Sequence, residues 1–128
     1  MEKAKIKSFT DLEAWKEGHK LVIMIYKTVK KFPKEELFCL TSQLKRAVIS
    51  NTSNLAEGFS RSSYKDKVHF YIMALGSLTE TQNQILVAKD VGYLSKEEFT
   101  SLADQTVICS KLNNGLIKSS RARMGHNS

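Results

Sequence analysis

The sequence predicts an all-α protein folded as an antiparallel up-down-up-down four-helix bundle. Apolar residues recur every three or four positions in four long segments, and the strict alternation that marks β-strands is absent. One proline and six glycines leave few breaks in the 128 residues, so long helices can form. Four helices of roughly 16 to 28 residues joined by short links are typical of this bundle class.

The first helix is predicted to begin at a capping box formed by Thr10 and Glu13, whose spacing lets each side chain bond the other residue's backbone N–H. It ends at Phe32 and Pro33, because proline cannot continue a helix. The residues at helical spacing along one side are Leu12, Trp15, His19, Ile23, Tyr26 and Val29.

The second helix is predicted from Thr41 to Gly58, since glycine readily takes the left-handed conformation that ends helices. A mostly apolar row along it contains Leu44, Val48, Asn51 and Leu55. Beside it runs a polar row at intervals of three or four residues, which consists of Gln43, Arg46, Ser50, Asn54 and Glu57. Such an ordered row predicts fixed hydrogen bonds to other helices.

Glu80, on the third helix, completes what we call the polar stripe. Glu57 and Glu80 could lie near each other on facing helices and mimic a catalytic carboxylate pair. A structural role is favoured, because a buried carboxylate is tolerated only when it is paired. We therefore expect the two carboxylates to accept hydrogen bonds from Arg46, Asn54 or Gln84.

The third helix is predicted to be capped by Ser62 or Ser63 and to end at Gly92. One of its sides carries Phe70, Ala74, Leu78 and Ile85, and another carries Val68, Ile72, Leu75 and Leu86. Two apolar sides need two partners. Either the helix is central in the core of the monomer, or one side packs against another subunit.

The fourth helix is predicted to start at a second capping box, formed by Ser95 and Glu98. It carries Phe99, Leu102, Thr106, Cys109, Leu112 and Leu116.

The domain organisation predicted is a basic N-terminal tail (1–8), the bundle (9–118) and a flexible basic C-terminal tail (119–128). No apolar run approaches the ~20 residues needed to span a bilayer, and the N-terminus lacks the apolar region of a secretory signal. We expect a cytoplasmic protein, in which Cys39 and Cys109 remain thiols in or near the core.

Several motifs carry a resemblance to a known family. They are LTSQLKRA at 40–47, NLAEG at 54–58 followed by Arg61, ALGSLTE at 74–80 and the opening FTDLEAW at 9–15. Over residues 9–117 the chain resembles the four-helix-bundle proteins encoded by intervening sequences in bacterial 23S ribosomal RNA genes. The resemblance implies the bundle fold and a homopentamer. Through the related accessory protein of diversity-generating retroelements, it also implies binding to a reverse transcriptase and to nucleic acid.

Recognisable catalytic or metal motifs are missing from the sequence. His19, His69 and His126 have no metal-ligand spacing with each other or with the cysteines. The paired Glu-x-x-His motifs of di-metal bundles, phosphate-binding loops and nucleophile elbows are also absent. We expect no enzyme activity, no metal and no cofactor.

The net charge is +7, and the basic excess lies toward the chain ends. Lys and Arg outnumber Asp and Glu by nine to four in residues 1–34 and by three to none in 118–128, but are outnumbered nine to eight in 35–117. The up-down-up-down topology places the N-terminus, the link between the second and third helices and the C-terminus at the same end. We call the cations expected there the basic pole: Lys3, Lys5, Lys7, Arg61, Lys65, Lys67, Lys118, Arg121 and Arg123.

A basic pole repeated around an oligomer would attract polyanions. The leading hypothesis is therefore a non-enzymatic, oligomeric bundle that binds RNA or DNA, mainly through phosphates. One alternative is an oligomeric scaffold for a protein partner, without a role in nucleic-acid binding. Another is that the lysine-rich ends serve solubility alone.

Overall fold

The computed structural model describes residues 5–127, and the side chains of residues 5–125. It has four helices, α1 (Glu13–Val29), α2 (Leu40–Ser60), α3 (Tyr64–Asp90) and α4 (Lys96–Asn127), and 3-10 turns at Phe9–Asp11 and Lys34–Glu36. Residues 5–127 contain no strand. Because α1 and α3 each pack against both α2 and α4, the predicted four-helix bundle is confirmed.

The capping box before α1 lies two residues earlier in the chain than predicted. Ser8 and Asp11 form the box: Ser8 Oγ accepts from Thr10 N–H at 3.3 Å, and Asp11 Oδ2 accepts from Ser8 N–H at 3.1 Å. The prediction of Thr10 as the cap is therefore wrong. The box belongs to the short 3-10 turn, and α1 follows from Leu12 without a side-chain cap.

The link between α3 and α4 has the predicted features. Gly92 takes a φ of 89°, in the left-handed region where glycine is favoured. Ser95 N–H donates to Glu98 Oε1 at 2.8 Å, and Glu98 N–H donates to Ser95 Oγ at 3.1 Å. Both helix-ending and helix-starting signals are confirmed here.

The link between α2 and α3 begins later than predicted. Gly58 lies inside α2, which continues to Ser60 before Arg61 turns extended. Ser63 then caps α3, as one of the two predicted candidates, by accepting from Asp66 N–H at 3.1 Å. Gly58 is required for packing and does not end the helix: an added Cβ would lie 2.6 Å from Tyr71 Cε1.

Two clusters of buried apolar side chains form the core. The larger fills the end nearest the α1–α2 and α3–α4 links, with Ile25, Leu44, Val48 and Ile85 among its members. The smaller lies toward the other end and includes Leu55, Val68, Tyr71 and Ile117. Each end of the bundle thus has its own core, and the smaller core includes residues on both sides of the α2–α3 link.

The polar stripe is mostly on the surface. Gln43, Arg46, Glu57 and Glu80 are exposed, so the prediction of a buried network is wrong for these four. Ser50 and Asn54 are half-buried: Ser50 Oγ lies 2.8 Å from Ser77 Oγ, and Asn54 Nδ2 donates to Ser50 O at 2.9 Å and to Ser50 Oγ at 3.2 Å. The expected bonds from Arg46, Asn54 or Gln84 to Glu57 or Glu80 are not formed among the described side chains; Glu57 accepts from Ser60 and contacts Arg61.

Buried polar groups of the neighbouring row and of α4 form hydrogen bonds between helices. Asn51 and Asn113 are fully buried, and Asn113 Nδ2 donates to Asn51 Oδ1 at 2.8 Å across the diagonal from α2 to α4. Gln105 Nε2 donates to Glu17 O at 2.9 Å and to Glu17 Oε1 at 3.0 Å, which joins α4 to α1. These bonds fix α4 relative to α1 and α2, which is the role that we expected of the polar stripe.

α3 has one buried side and one open side within the monomer. Val68, Ala74, Leu78 and Ile85 are buried, whereas Phe70 and Leu75 are half-buried. Ile72 (43% exposed) and Leu86 (47%) face solvent, as do Met73 (44%) and Val87 (42%). A central position of α3 in the monomer core, one of the two explanations left open, is therefore wrong.

α4 is longer than predicted, because the helix continues through Asn127 without a break at Lys118. The expected flexible tail (119–128) is thus helical through residue 127, and residue 128 lies outside the described residues. Of the predicted N-terminal tail (1–8), residues 1–4 also lie outside them.

Cys109 is buried, and burial raises the pKa of its thiol to about 12. Cys39 is exposed, contrary to expectation.

Candidate nucleic-acid interface

Three distant segments meet at one end of the bundle. Lys5 lines a groove with Leu116 and Ser119 of α4, next to the start of α1. Arg123 of α4 donates to the Tyr64 hydroxyl at the start of α3. The 3-10 turn at Phe9–Asp11 also packs on α2. The N-terminal segment, the α2–α3 link and the last turns of α4 therefore share the end predicted for the basic pole.

Arg61 occupies the link between α2 and α3. Its Cζ lies 4.6 Å from the centroid of the Phe70 ring, within the range of a cation–π interaction. Its Nη2 lies 3.6 Å from Glu57 Oε2, with 44% of the Arg61 side chain and 51% of the Glu57 side chain exposed. An ion pair this exposed contributes little and is easily exchanged for another anion.

Lys67 has a structural contact that the sequence did not indicate. Its Nζ donates to Phe59 O at 2.6 Å and to Gly58 O at 3.4 Å, and lies 5.3 Å from the Phe59 ring centroid. A cation placed on the last carbonyls of a helix satisfies them and offsets the helix dipole. Burial lowers the pKa of Lys67. This lysine therefore caps α2 and is the least available cation of the pole.

Arg123 is held by the start of α3. Its Nη1 donates to Tyr64 Oη at 2.9 Å, and its Cζ lies 5.6 Å from the ring centroid. The contact joins α4 to α3 at the pole. It also requires α4 to continue as a helix past Lys118, where the sequence predicted a flexible tail.

The remaining described cations of the pole are exposed. Lys5 and Lys7 lie on the N-terminal segment, Lys65 in the first turn of α3, and Lys118 and Arg121 on α4; Lys3 lies outside the described residues. Among the described cations of the pole, Arg61 alone has a carboxylate within ion-pair distance. The positive charge of this end is therefore mostly uncompensated by direct contacts.

Asp11 is an acid at the same end. Its carboxylate accepts from the backbone N–H groups of Lys7 and Ser8, and these bonds hold its pKa below the usual value. The carboxylate stays ionised while its acceptor oxygen serves the backbone. It therefore subtracts one charge from the pole and ties down the segment that carries Lys5 and Lys7.

At the opposite end, one lysine and one tyrosine contact carboxylates. Lys31 forms an ion pair with Glu98. Tyr93 Oη donates to Glu36 Oε2 at 2.8 Å, and this bond raises the pKa of Tyr93. The sequence near this end is close to neutral, because its lysines are nearly balanced by acidic residues: Lys27, Lys30, Lys31, Lys34, Lys89 and Lys96 against Glu35, Glu36, Asp90, Glu97 and Glu98.

The aromatic partners of the cations were missed by sequence reasoning, which considered only the charges of the pole. Phe59, Tyr64 and Phe70 each lie under a cation of the pole. All three fall within a dozen residues that also contain Arg61, Lys65 and Lys67. That local density was the available signal; only the fold reveals that Arg123 joins it.

Two further properties bear on function. The described residues contain no group of three His, Cys, Asp or Glu side chains arranged to hold a metal ion. Within residues 5–127, no helix is both long enough and apolar enough to cross a membrane.

Comparison with known proteins then identifies the family. The protein family described as "23S rRNA-intervening sequence protein" matches residues 10–115, which is most of the chain. This chain belongs to that family. A solved structure from Bacteroides thetaiotaomicron, described as a protein of unknown function from the S23 ribosomal protein family, has 21% sequence identity and a TM-score of 0.76. The match covers 82% of this chain and 95% of that one, and at this identity it shows the shared fold.

No curated protein matches the sequence. The family membership expected from the sequence motifs is confirmed. The relation of this 23S rRNA-intervening sequence family member to retroelement accessory proteins stays a proposal.

Proposed function

We propose that this family member is a non-enzymatic, oligomeric, cytoplasmic protein that binds RNA or DNA through its basic pole. The observation that carries the proposal is the cluster of exposed cations at one end, among which Arg61 alone has a carboxylate partner within the described part of the chain. Phosphates would replace the water and counterions around Lys5, Lys65, Lys118 and Arg121. Such binding is electrostatic and weakly selective for sequence.

Self-association belongs to the same proposal, with a pentamer as the expected state. The exposed apolar residues of α3, Ile72, Met73, Leu86 and Val87, support it, because burial against a second copy would remove them from water. Copies arranged around an axis would add their poles into one larger positive surface. An accessory role beside a reverse transcriptase fits a protein that holds nucleic acid without acting on it.

The same apolar residues also favour the second candidate, an oligomeric scaffold for a protein partner. Salt separates the two. If about four to six phosphates are contacted, raising monovalent salt from 50 to 200 mM should weaken binding by about 100- to 1,000-fold. An apolar protein interface would change little over the same range.

The deciding experiment reverses charge at each end of the bundle. Lys65→Glu, Lys118→Glu and Arg121→Glu together should lower affinity for a fluorescent 20-nucleotide RNA or DNA by at least about 100-fold in 0.1 M salt, because several phosphate contacts are lost. Fluorescence anisotropy measures it. None of these three side chains has a described hydrogen bond or ion pair, and the oligomer should remain intact.

The matched control is the same change of charge at the opposite end, with Lys27→Glu, Lys30→Glu and Lys34→Glu. The two ends lie about 30 Å apart along α2, several Debye lengths at this salt. The control should therefore change affinity by less than about threefold. Equal losses in both variants would show that net charge alone drives binding, and unchanged binding in the first would retire the basic pole.

A further inference from the structure

Two arginines of the pole are backed by aromatic rings. The Arg61 guanidinium lies over Phe70 with its Cζ 4.6 Å from the ring centroid. The Arg123 guanidinium lies 5.6 Å from the Tyr64 ring centroid and is fixed there by its 2.9 Å bond to Tyr64 Oη. We call Arg61 and Arg123 the ring-backed arginines. Both have exposed side chains although both are anchored.

The other cations of the pole lack this arrangement. Lys67 also lies over a ring, but its ammonium is occupied by two backbone carbonyls and has no flat surface. The remaining lysines are exposed point charges, which can contact a phosphate but offer no flat surface on which a base could stack. They are Lys5, Lys7, Lys65 and Lys118. Arg121 has the planar group, but no ring lies beneath it among the described contacts.

Because both arginine side chains are exposed, the side of each guanidinium that faces away from its ring can be reached by a ligand. Unpaired bases stack on aromatic side chains and on arginine planes, and every base has a face that can do so. Bases inside a duplex are already stacked on each other and are not available. Because the side chains are held in advance, less conformational entropy is lost when a base stacks on them.

We propose that the ring-backed arginines make the pole selective for single-stranded nucleic acid, with Arg61 and Arg123 each stacking on an unpaired base. The inference rests on the proposed function, since the surrounding lysines must first hold the phosphates. It adds that the bases, and not only the phosphates, contribute to affinity. RNA and DNA share the required chemistry.

The test compares single strands that have the same number of phosphates and differ in their bases, and adds a duplex. The probes are fluorescein-labelled 12-nucleotide adenine strands, as RNA and as DNA, an abasic DNA strand of the same length, and a 12-base-pair duplex. Anisotropy of the full-length protein at a fixed 0.1 M salt gives each affinity. The adenine strands should bind about 5- to 140-fold more tightly than the abasic strand for each base that stacks.

The variants replace the flat guanidinium of each ring-backed arginine by an ammonium of the same charge. In Arg61→Lys and Arg123→Lys the advantage of adenine over abasic DNA should fall, and in the double variant it should disappear, while binding of the abasic strand stays within about twofold. Arg121→Lys is the matched control, and it should leave the advantage unchanged. An equal advantage in the wild type and the double variant would overturn the proposal.

The two levels of proposal fail in different ways. Salt-dependent binding with equal affinity for adenine and abasic strands would refute base stacking and leave the phosphate-binding pole standing. The absence of binding to every strand would refute the pole itself. Tighter binding to the duplex than to the adenine strands would also refute single-strand selectivity. RNA and DNA strands that differ from each other would show an additional contact to the sugar.

Discussion

A buried asparagine pair fixes the relation between α2 and α4. Asn51 and Asn113 are fully buried and joined by a 2.8 Å hydrogen bond. Gly18 makes room for the pair, since a Cβ there would lie 2.9 Å from Asn51 Nδ2. Within the described residues, Asn51 Nδ2 and Asn113 Oδ1 have no hydrogen-bond partner. The pair gives specificity of register at some cost in stability.

Removing one member should destabilise the fold. In Asn113→Leu, the buried Asn51 carboxamide loses its donor, and we expect about 1–3 kcal/mol less free energy of unfolding. Urea denaturation followed by circular dichroism measures the change. Glu57→Ala serves as the control, and should stay within about 0.5 kcal/mol because the carboxylate is exposed. Equal stabilities of Asn113→Leu and wild type would contradict a role for the pair.

The same residues show where the sequence was insufficient. Helical spacing correctly placed Asn54 and Asn51 in two separate rows of α2. Which row faces the core is decided by packing against α3 and α4, and the row rich in leucine and valine won because it buries more apolar area. Asn51 lies in that row and is buried with it, whereas Glu57 remains in water.

At the scale of the element, Gly58 sets the distance between α2 and α3. Its missing side chain lets the Tyr71 ring and the Phe70 Cβ approach the α2 backbone, where an added Cβ would lie 2.6 and 3.0 Å from them. Tyr71 is buried, and burial raises the pKa of its phenol to about 12. The Arg61 guanidinium lies over the Phe70 ring, so the close approach of α2 and α3 also helps to position the pole.

A methyl group at this position should therefore be harmful in spite of helix propensity. Alanine is favoured over glycine inside a helix by about 1 kcal/mol. In Gly58→Ala the clash with a rigid ring should outweigh that gain and give a net loss of about 1–3 kcal/mol. Thermal and urea unfolding of the purified variant provide the measurement.

Gly76→Ala is the matched control on α3. It is exposed, and an added Cβ meets nothing within 4 Å of the described residues. We expect that variant to gain about 0.5–1 kcal/mol from propensity alone. If both alanines stabilise the protein, then α2 and α3 can separate freely and the interpretation of Gly58 is wrong.

Signals that act within a few residues were predictable from the sequence. Ser95 with Glu98 and the left-handed Gly92 need only local backbone geometry, and both were correct. Gly58 was misinterpreted as a helix end because the reason for it, Tyr71, comes from another helix. Thr10 was misassigned because Ser8 and Asp11 offer the same spacing two residues earlier.

At the scale of the whole molecule, topology brought the cations together. Alternating helix directions were enough to predict that the segments carrying Lys5, Arg61 and Arg123 share one end. The sequence could not show that Lys67 donates to a carbonyl at the end of α2, or that Arg123 donates to the Tyr64 hydroxyl. Those contacts depend on distances between helices, which a pattern of charges does not contain.

The open side of α3 provides the last prediction. Ile72 and Leu86 lie fourteen residues apart, close to four helical turns, and so project from the same side. If copies associate through it, Ile72→Glu with Leu86→Glu should reduce the mass measured by light scattering toward the 14.5 kDa monomer, because two charges would be buried without partners. The helical circular dichroism signal should be kept.

Two exposed isoleucines on other helices give the control for this surface. Ile23 on α1 (42% exposed) and Ile108 on α4 (44%) have similar exposure. Ile23→Glu with Ile108→Glu should keep the wild-type mass, because those side chains remain in water whether or not α3 is covered. A loss of assembly in this control alone would move the interface away from α3. A monomeric wild type would remove self-association from the proposed function, and each basic pole would then act singly.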